Sequence, residues 1–319
     1  MKKIQKNIQG NPPYVALSIK KLELGTRLPF NIYIQRDNGY VIIIESGTLL
    51  DDKIYALLSK QKTLYVLKDD KTEESVNCNN ILTYIQYNKD MSQKSLHFLY
   101  EINAKLFIHL RNINSTSSNS ECVESIVNSI IFLVKNRDSY LKNAIQYFLN
   151  EYKLDVHSLH VAIYAVNLGY FIGLNQNELY QVGIAGLMLD IGMFKVEDSI
   201  RYKASKLNKS ELHLMQQHPK FSVEIINHNH IHKPYIIEAV LHHHERYDGS
   251  GYPDKLRDNQ ISKFASILAI CDVFDALTIN RPYRKNYTYF EALKFMMKDL
   301  SMKDKFNTHY LQVFLKSLI

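Results

Sequence analysis

The stretch on which the interpretation of this 319-residue chain depends is His243-His244-Glu245-Arg246-Tyr247-Asp248-Gly249-Ser250-Gly251-Tyr252-Pro253. Its two adjacent histidines follow a run with helical pattern that ends at Leu241. Neutral imidazole is the commonest protein ligand for transition metals, so a pair at a helix end can bind one ion. The glycine-rich segment after them favours neither helix nor strand, which predicts a loop bent around a bound group. A histidine pair alone is a weak signal, and ligand-type residues elsewhere in the chain decide its meaning.

Length and charge set limits on what the chain can be. A chain of 319 residues is long enough for two domains with a buried core. The net charge of +7 suits anionic partners such as phosphate esters, but the lysines are scattered, so no nucleic-acid polymer is expected as a partner. No apolar segment follows the charged N-terminus, and the longest apolar run (130–134) is far below the roughly 20 residues of a membrane span. We therefore expect a cytoplasmic protein without a membrane span.

Residues 1–70 predict a small β-rich domain. Two strand-like runs, 31–36 and 40–45, flank Asp37-Asn38-Gly39, and Asn-Gly is a strong hairpin signal. A short helix is expected over 53–60 and a further strand over 63–67. The region carries no nucleophile, metal cluster or phosphate loop, so we interpret it as a regulatory or dimerisation domain, consistent with a homodimer.

The remainder of the chain predicts helices. Residues 71–150 are interpreted as a linker and helical connector, with a polar, asparagine-rich stretch over 70–92 and helical spacing over 92–111 and 121–149. From 151 to 319 an all-α domain is expected, because helix start signals recur and strands do not. These signals are capping boxes at Asn175 to Glu178 and Asn208 to Glu211, and prolines at Pro219 and Pro234.

Ligand-type residues occur at five places in this helical domain: His157; Asp190; His218; the pair His243 and His244; and the pair Asp272 and Asp275. A carboxylate among apolar neighbours, as at Asp190, is costly unless it is paired or bound to metal. Together these donors would form a mixed nitrogen and oxygen site suited to iron, manganese or zinc, with a bridging carboxylate if two ions bind.

Each of these residues also has an ordinary structural interpretation. A lone histidine such as His157 is more often a satisfied helix residue than a ligand. An aspartate on an apolar helix can pair with an arginine, and Arg281 and Arg284 lie close to Asp272 and Asp275 in sequence. His160 and His242 are interpreted as surface residues or as residues that support ligands.

Six runs in consistent order resemble the HD-GYP domain, the subgroup of HD-superfamily metal phosphohydrolases that hydrolyses cyclic di-GMP. They are residues 157–161, 189–192, 207–211 leading to His218-Pro219, 243–253, 271–278 and 281–284. The resemblance covers the chain from about Leu154 onward and leaves the N-terminal half without a counterpart. It implies a helical HD-GYP domain with two divalent ions, iron or manganese rather than zinc, and cyclic di-GMP as substrate.

The resemblance also implies a role for each matching position. The matches to metal ligands are His157, Asp190, His218, His243, His244 and Asp272, with Asp190 at the bridging, catalytic position. Asp275 matches the acid near the nucleophilic water and leaving group, where it could relay a proton. Arg281, Arg284, Tyr252 and Gly251 match positions that contact the substrate.

Two departures from the family pattern affect the expected activity. Leu189 occupies the histidine position of the His-Asp motif, so the ion that also uses His157 and Asp272 lacks one ligand. Met193 replaces a lysine, for which Lys195 could substitute. His160 or water could fill the position left by the histidine.

We therefore expect a cyclic di-GMP phosphodiesterase of reduced activity. The alternative is a degenerate domain that acts as a cyclic di-GMP sensor or as a docking partner of a diguanylate cyclase or another signalling protein. An HD-type hydrolase acting on another phosphoester is a third interpretation.

Overall fold

The computed structural model describes two compact units, residues 1–98 and 99–319. The described residues are 14–22, 24–25, 28, 30–36, 39–45, 48–67, 78, 81–87, 92–111, 119–136, 153–203, 205–231, 233–279, 286–299, 302 and 304–318. The division of the chain at residues 70 and 150 that we expected from sequence stays a prediction.

The first unit contains the predicted β-rich structure. Its strands are β1 (Tyr14–Leu17), β2 (Ile32–Arg36), β3 (Gly39–Ile44) and β4 (Leu64–Leu67). They form one sheet in the order β1-β4-β2-β3, in which every neighbouring pair is antiparallel. The predicted hairpin strands pair as β2 and β3, whereas Asp37 and Asn38 of the turn lie outside the described residues. Helix α1 (Asp52–Ser59) begins at Asp51, whose side chain accepts a hydrogen bond from the Ile54 amide at 2.8 Å.

One helix in this unit was missed by the sequence interpretation. Helix α2 (Ile81–Tyr87) lies within the stretch 70–92 that was predicted to be a linker. Its residues Ile81, Tyr84 and Ile85 are buried, which places three apolar side chains on one face of a short helix among polar neighbours. Helix α3 (Ser92–Arg111) agrees with the predicted limits.

The rest of the described chain is helical, as predicted. The helices are α4 (Ser120–Lys135), α5 (Leu154–Phe171), α6 (Gln176–Met188), α7 (Asp198–Arg201), α8 (Lys209–Met215), α9 (His218–His228), α10 (Pro234–Leu241), α11 (Lys263–Thr278), α12 (Tyr289–Lys298) and α13 (Thr308–Ser317). Short 3₁₀ segments cover Ile191–Lys195 and Asp258–Gln260. Both predicted capping boxes are formed, and Pro219 and Pro234 lie in the first turns of α9 and α10.

Helix α5 is the centre of this unit. It packs against α4, α6, α11 and α13, and it is buried on nearly every side rather than along one stripe. Helix α6 approaches it closely, because a Cβ atom on Gly186 would lie 2.8 Å from the Cα atom of Ala162. His157, on the second turn of α5, is therefore held in a tightly packed element. Among the described residues, no helix combines the length and apolar character needed to cross a membrane.

Candidate metal centre

Four ligand-type side chains converge in the helical unit. One donor atom from each of Asp190, His218, His243 and His244 lies within 4.8 Å of the others. The Nε2 atom of His218 is 3.1 Å from Asp190 Oδ1 and 3.1 Å from His244 Nε2, and His243 Nε2 is 3.5 Å from Asp190 Oδ1. Asp190 follows α6, His218 begins α9, and His243 and His244 follow α10. Three segments of the chain therefore meet at one point.

The hydrogen bonds of two histidines determine which ring nitrogen can bind a cation. Nδ1 of His218 lies 2.8 Å from the Met215 carbonyl oxygen, and Nδ1 of His243 lies 2.7 Å from that of Val240. A carbonyl oxygen only accepts, so both Nδ1 atoms carry protons. In the neutral rings the Nε2 lone pairs, 3.5 Å apart, then face one another and the Asp190 carboxylate. Such a donor set repels itself unless a cation lies between its members, so these residues fit a divalent metal ion.

The protonation tendencies of Asp190 and His244 agree with metal binding. Burial would raise the pKa of Asp190, but the contacts of its carboxylate with the His218 and His243 rings and the charges of His218 and His157 hold that pKa well below its usual range, so the side chain is a carboxylate. Burial, and then the neighbouring His243 and His218, hold the pKa of His244 well below the ordinary histidine value. His244 is therefore neutral near pH 7, which is the form that binds metal.

A second group of donors adjoins the first through Asp190. His157 Nε2 lies 3.3 Å from Asp272 Oδ1 and 3.5 Å from Asp190 Oδ2. Asp190 thus presents Oδ1 to His218 and Oδ2 to His157, which is the geometry of a carboxylate that can bridge two ions. Leu189 is fully buried and its side chain supplies no donor to this second group.

Asp275 lies on the other side of the His157 ring. Its Oδ2 atom is 2.6 Å from His157 Nδ1 and its Oδ1 atom is 2.8 Å from His160 Nδ1, and all three side chains are buried. Burial alone would raise the pKa of Asp275, but the charge of His160 and hydrogen bonds from both histidines lower it to about 2. The structure therefore places Asp275 behind a candidate ligand, His157, whose ring it orients. The proton relay expected from sequence stays a prediction. His160 is engaged with Asp275 and is placed to support a ligand rather than to replace the missing one.

The glycine-rich loop is anchored by a residue that was not predicted as functional. Glu245 is fully buried and accepts hydrogen bonds from the amides of Asp254 at 2.6 Å and Leu256 at 3.1 Å. A Cβ atom on Gly251 would lie 2.4 Å from the Glu245 Cα atom, so only glycine fits there. The Tyr252 ring stacks on His244 with centroids 4.7 Å apart. The loop therefore packs directly on a metal-ligand candidate.

Replacing Glu245 with glutamine should detach this loop, because one acceptor oxygen becomes an NH₂ group facing a backbone N–H. We expect the free energy of unfolding to fall by about 1–3 kcal/mol, the cost of an unsatisfied buried donor. Urea denaturation measures the change. The control is Glu224→Gln, since the Glu224 side chain is 58 % exposed. Equal denaturation midpoints for Glu245→Gln and the unaltered chain would contradict the anchoring role.

A second unpredicted residue joins the elements that carry the candidate ligands. Ser222 Oγ donates to the Leu189 carbonyl oxygen at 2.7 Å and accepts from the Gly192 amide at 2.8 Å. A Cβ atom on Gly192 would lie 2.1 Å from the His218 carbonyl oxygen, so the segment after Asp190 fits against α9 only with glycine there. Glu245 could have been noticed as an acid within the quoted loop motif. Nothing in the sequence distinguishes Ser222.

The residues predicted to contact substrate differ in how close they lie to the candidate metal ligands. Gly251 and Tyr252 lie beside the cluster, as described above. Lys195 donates to Glu224 at 2.6 Å and lies 5.7 Å from the Phe221 ring, so its ammonium is part of a surface ion pair. Its role as a substitute for the lysine absent at Met193 stays a prediction. Arg281 and Arg284 lie outside the described residues.

Comparison with known proteins identifies the family. Residues 122–304, more than half of the chain, match the family described as HD domain. The chain belongs to the HD domain family. The resemblance predicted from the sequence runs is thereby confirmed.

Two relatives of this HD domain protein are phosphodiesterases by name. The chain is 37% identical over 141 residues to a cyclic di-GMP phosphodiesterase of Pseudomonas aeruginosa, covering 44% of this chain and 34% of the relative. It is 34% identical over 192 residues to 3′3′-cGAMP-specific phosphodiesterase 2 of Vibrio cholerae, covering 60% of this chain and 36% of the relative. The chain thus spans about a third of the length of these relatives.

A solved structure shares the fold. The HDG"Y"P protein from Bdellovibrio bacteriovorus superimposes with a TM-score of 0.57 at 17% identity, covering 96% of this chain and 99% of that chain. This likeness confirms the predicted fold class, a helical HD domain preceded by a small β-rich part.

Proposed function

We propose that this HD domain protein is a metal-dependent phosphodiesterase that hydrolyses cyclic di-GMP in bacterial second-messenger signalling. The observation that carries the proposal is the convergence of Asp190 and three histidine nitrogens, two of them in tautomers that direct lone pairs at a common point. The named activities of the relatives support the substrate class. A cytoplasmic location is part of the proposal.

Two groups of residues would each hold one divalent ion at this site. Asp190, His218, His243 and His244 would hold one divalent ion, iron or manganese rather than zinc. His157, Asp272 and the second oxygen of Asp190 would hold another more weakly, because Leu189 provides no ligand. A bound metal would supply Lewis acidity, which would make water more acidic near neutral pH and offset phosphate charge.

Protein groups around this centre would bind and orient the nucleotide. Burial, followed by the charges of Asp190 and Asp272, raises the pKa of the Tyr252 phenol, so its hydroxyl stays protonated and can donate to an anionic substrate. Glu245 holds the loop that carries Tyr252. Arg281 and Arg284 are proposed to fork onto the phosphate oxygens, as arginine does at anionic ligands. Asp275 keeps His157 directed at the ion.

A second candidate function is favoured by Leu189 and Met193. A fully buried leucine cannot coordinate metal, and one positive charge near the phosphate is lost with the lysine. On this proposal the domain binds cyclic di-GMP without hydrolysing it and acts as a sensor or docking partner for a diguanylate cyclase.

Turnover by the full chain, reconstituted anaerobically with Fe(II) or Mn(II), decides between the two. Cyclic di-GMP and 3′3′-cGAMP are incubated separately and the products are separated by chromatography, with Asp190→Ala as the blank. Linear dinucleotide or GMP above the blank supports the phosphodiesterase. Hydrolysis of 3′3′-cGAMP alone would replace the proposed substrate. Intact nucleotides in a metal-loaded preparation would contradict the enzyme and leave the sensor.

A further inference from the structure

One buried carboxylate lies between two histidines of the same helix. His157 and His160 are three residues apart on α5, so their rings project from one face of the helix. Asp275 from α11 reaches both, with Oδ2 2.6 Å from His157 Nδ1 and Oδ1 2.8 Å from His160 Nδ1. The result is a continuous row of side chains, His160, Asp275 and His157, that ends at the metal centre.

The Asp275 end of this row determines how His157 can act. An ionised carboxylate only accepts, so the 2.6 Å contact places a proton on His157 Nδ1 and leaves the Nε2 lone pair directed at Asp190 and Asp272. Carboxylate partners of this kind fix the tautomer and ring orientation of ligating histidines. The second donor group has no ligand at Leu189, so it depends on His157 being well oriented.

His160 in turn determines the orientation of Asp275. A carboxylate held at one oxygen can rotate about its terminal torsion, whereas hydrogen bonds at both oxygens fix its plane. His160 is fully buried, and among the described residues its Nε2 atom has no hydrogen-bond partner. A buried polar atom without a partner is costly, so the contribution of the His160 ring rests on its Nδ1 contact with Asp275.

We propose that His160 is a positioning residue of the metal centre: through Asp275 it holds His157 in the tautomer and orientation of a ligand. The proposal rests on the metal centre of the proposed function. It does not depend on which nucleotide is hydrolysed or on whether turnover occurs.

The test is Mn(II) binding by the metal-stripped full chain, followed by electron paramagnetic resonance of the free ion. His160→Phe keeps a ring of similar size but removes the donor. We expect the affinity for the second, more weakly held Mn(II) to fall about tenfold or more, and this affinity is the quantity compared among the variants. His160→Asn carries an NH₂ group close to the original Nδ1 position, so it should retain this affinity within about threefold. In His160→Gln the NH₂ group lies one bond further out, so this variant should lose as much affinity as His160→Phe. The control is His228→Phe at an exposed position of α9.

A double-mutant cycle shows whether His160 acts through Asp275. In the Asp275→Asn background, His160→Phe should cause no further loss of affinity, because the carboxylate that transmits its effect is gone. Full additivity of the two losses would overturn the proposal. Thermal denaturation in EDTA separates a purely structural role: a lower melting temperature with unchanged Mn(II) affinity would also overturn it.

Three further outcomes test the proposal when a variant fails to fold, when the nucleotide stays intact or when Mn(II) does not bind. If His160→Phe does not fold, equal Mn(II) affinities for His160→Asn and His160→Gln would overturn it. If the unaltered chain binds Mn(II) but leaves cyclic di-GMP intact, the proposed hydrolysis fails while the affinity differences still test His160. Absence of Mn(II) binding by the unaltered chain would overturn both.

Discussion

Asp190→Asn should lower Mn(II) affinity by at least about 100-fold and turnover by about a thousandfold. Asp190 contacts donors of both groups, with Oδ1 near His218 and His243 and Oδ2 near His157. The amide has nearly the same shape but no charge, and its NH₂ group would face an imidazole nitrogen where an oxygen is needed. Loss of this one carboxylate therefore affects every ion the centre can hold.

Mn(II) titration and nucleotide turnover measure these effects, and thermal denaturation adds an independent readout. A ligand that binds only the folded state stabilises it by about 2.7 kcal/mol at 100 times its dissociation constant. Mn(II) should raise the melting temperature of the unaltered chain and leave that of Asp190→Asn unchanged. The matched control is Asp198→Asn, because the Asp198 side chain is 68% exposed and pairs with Arg201 of its own helix. Unaltered Mn(II) affinity in Asp190→Asn would exclude the proposed centre.

Leu189→His should tighten binding of the second ion by about 10–100-fold and raise turnover by about tenfold. The family resemblance places a histidine here as a ligand of the ion that also uses His157 and Asp272. Leu189 directly follows α6 and precedes Asp190, so the change adds an imidazole beside donors that are already assembled. The buried position costs stability, but bound metal offsets the cost of the polar ring.

Calorimetric titration with Mn(II) gives both stoichiometry and affinity for Leu189→His. Leu189→Met is the matched control, because it changes the shape of the buried side chain without adding a nitrogen ligand. A second binding step at least about tenfold tighter than that of Leu189→Met would support the two-group arrangement around Asp190. Identical titrations for both variants would show that this position does not face the second ion.

Sequence reasoning succeeded where the signal was local. The capping boxes at Asn175 and Asn208 were predicted because each involves residues three apart, whose geometry the helix itself determines. Helix α2 was missed because Ile81, Tyr84 and Ile85 are too few to make a helical period visible among asparagines and lysines.

The acid pair on α11 shows where residue spacing no longer determines the role of a side chain. Asp272 and Asp275 share a helix face, and sequence alone could assign either to metal. In the structure Asp272 meets His157 at Nε2 and Asp275 meets it at Nδ1, so one lies with the metal donors and the other behind the ligand. The difference depends on where α5 lies, and Asp275 is 118 residues from His157 in sequence.

The sequence by itself determined the helical character of the C-terminal unit, the starts of several of its helices and the chemical types of the candidate ligands, because hydrophobic spacing and capping act over a few residues. Only the tertiary structure decided which ring nitrogens face a cation, that Glu245 and Ser222 hold the surrounding segments, and that His160 and Asp275 stand behind His157. These features are hydrogen bonds between elements distant in sequence. Their partners are chosen by how the helices pack, and packing follows from burial of the whole core rather than from any short stretch of residues.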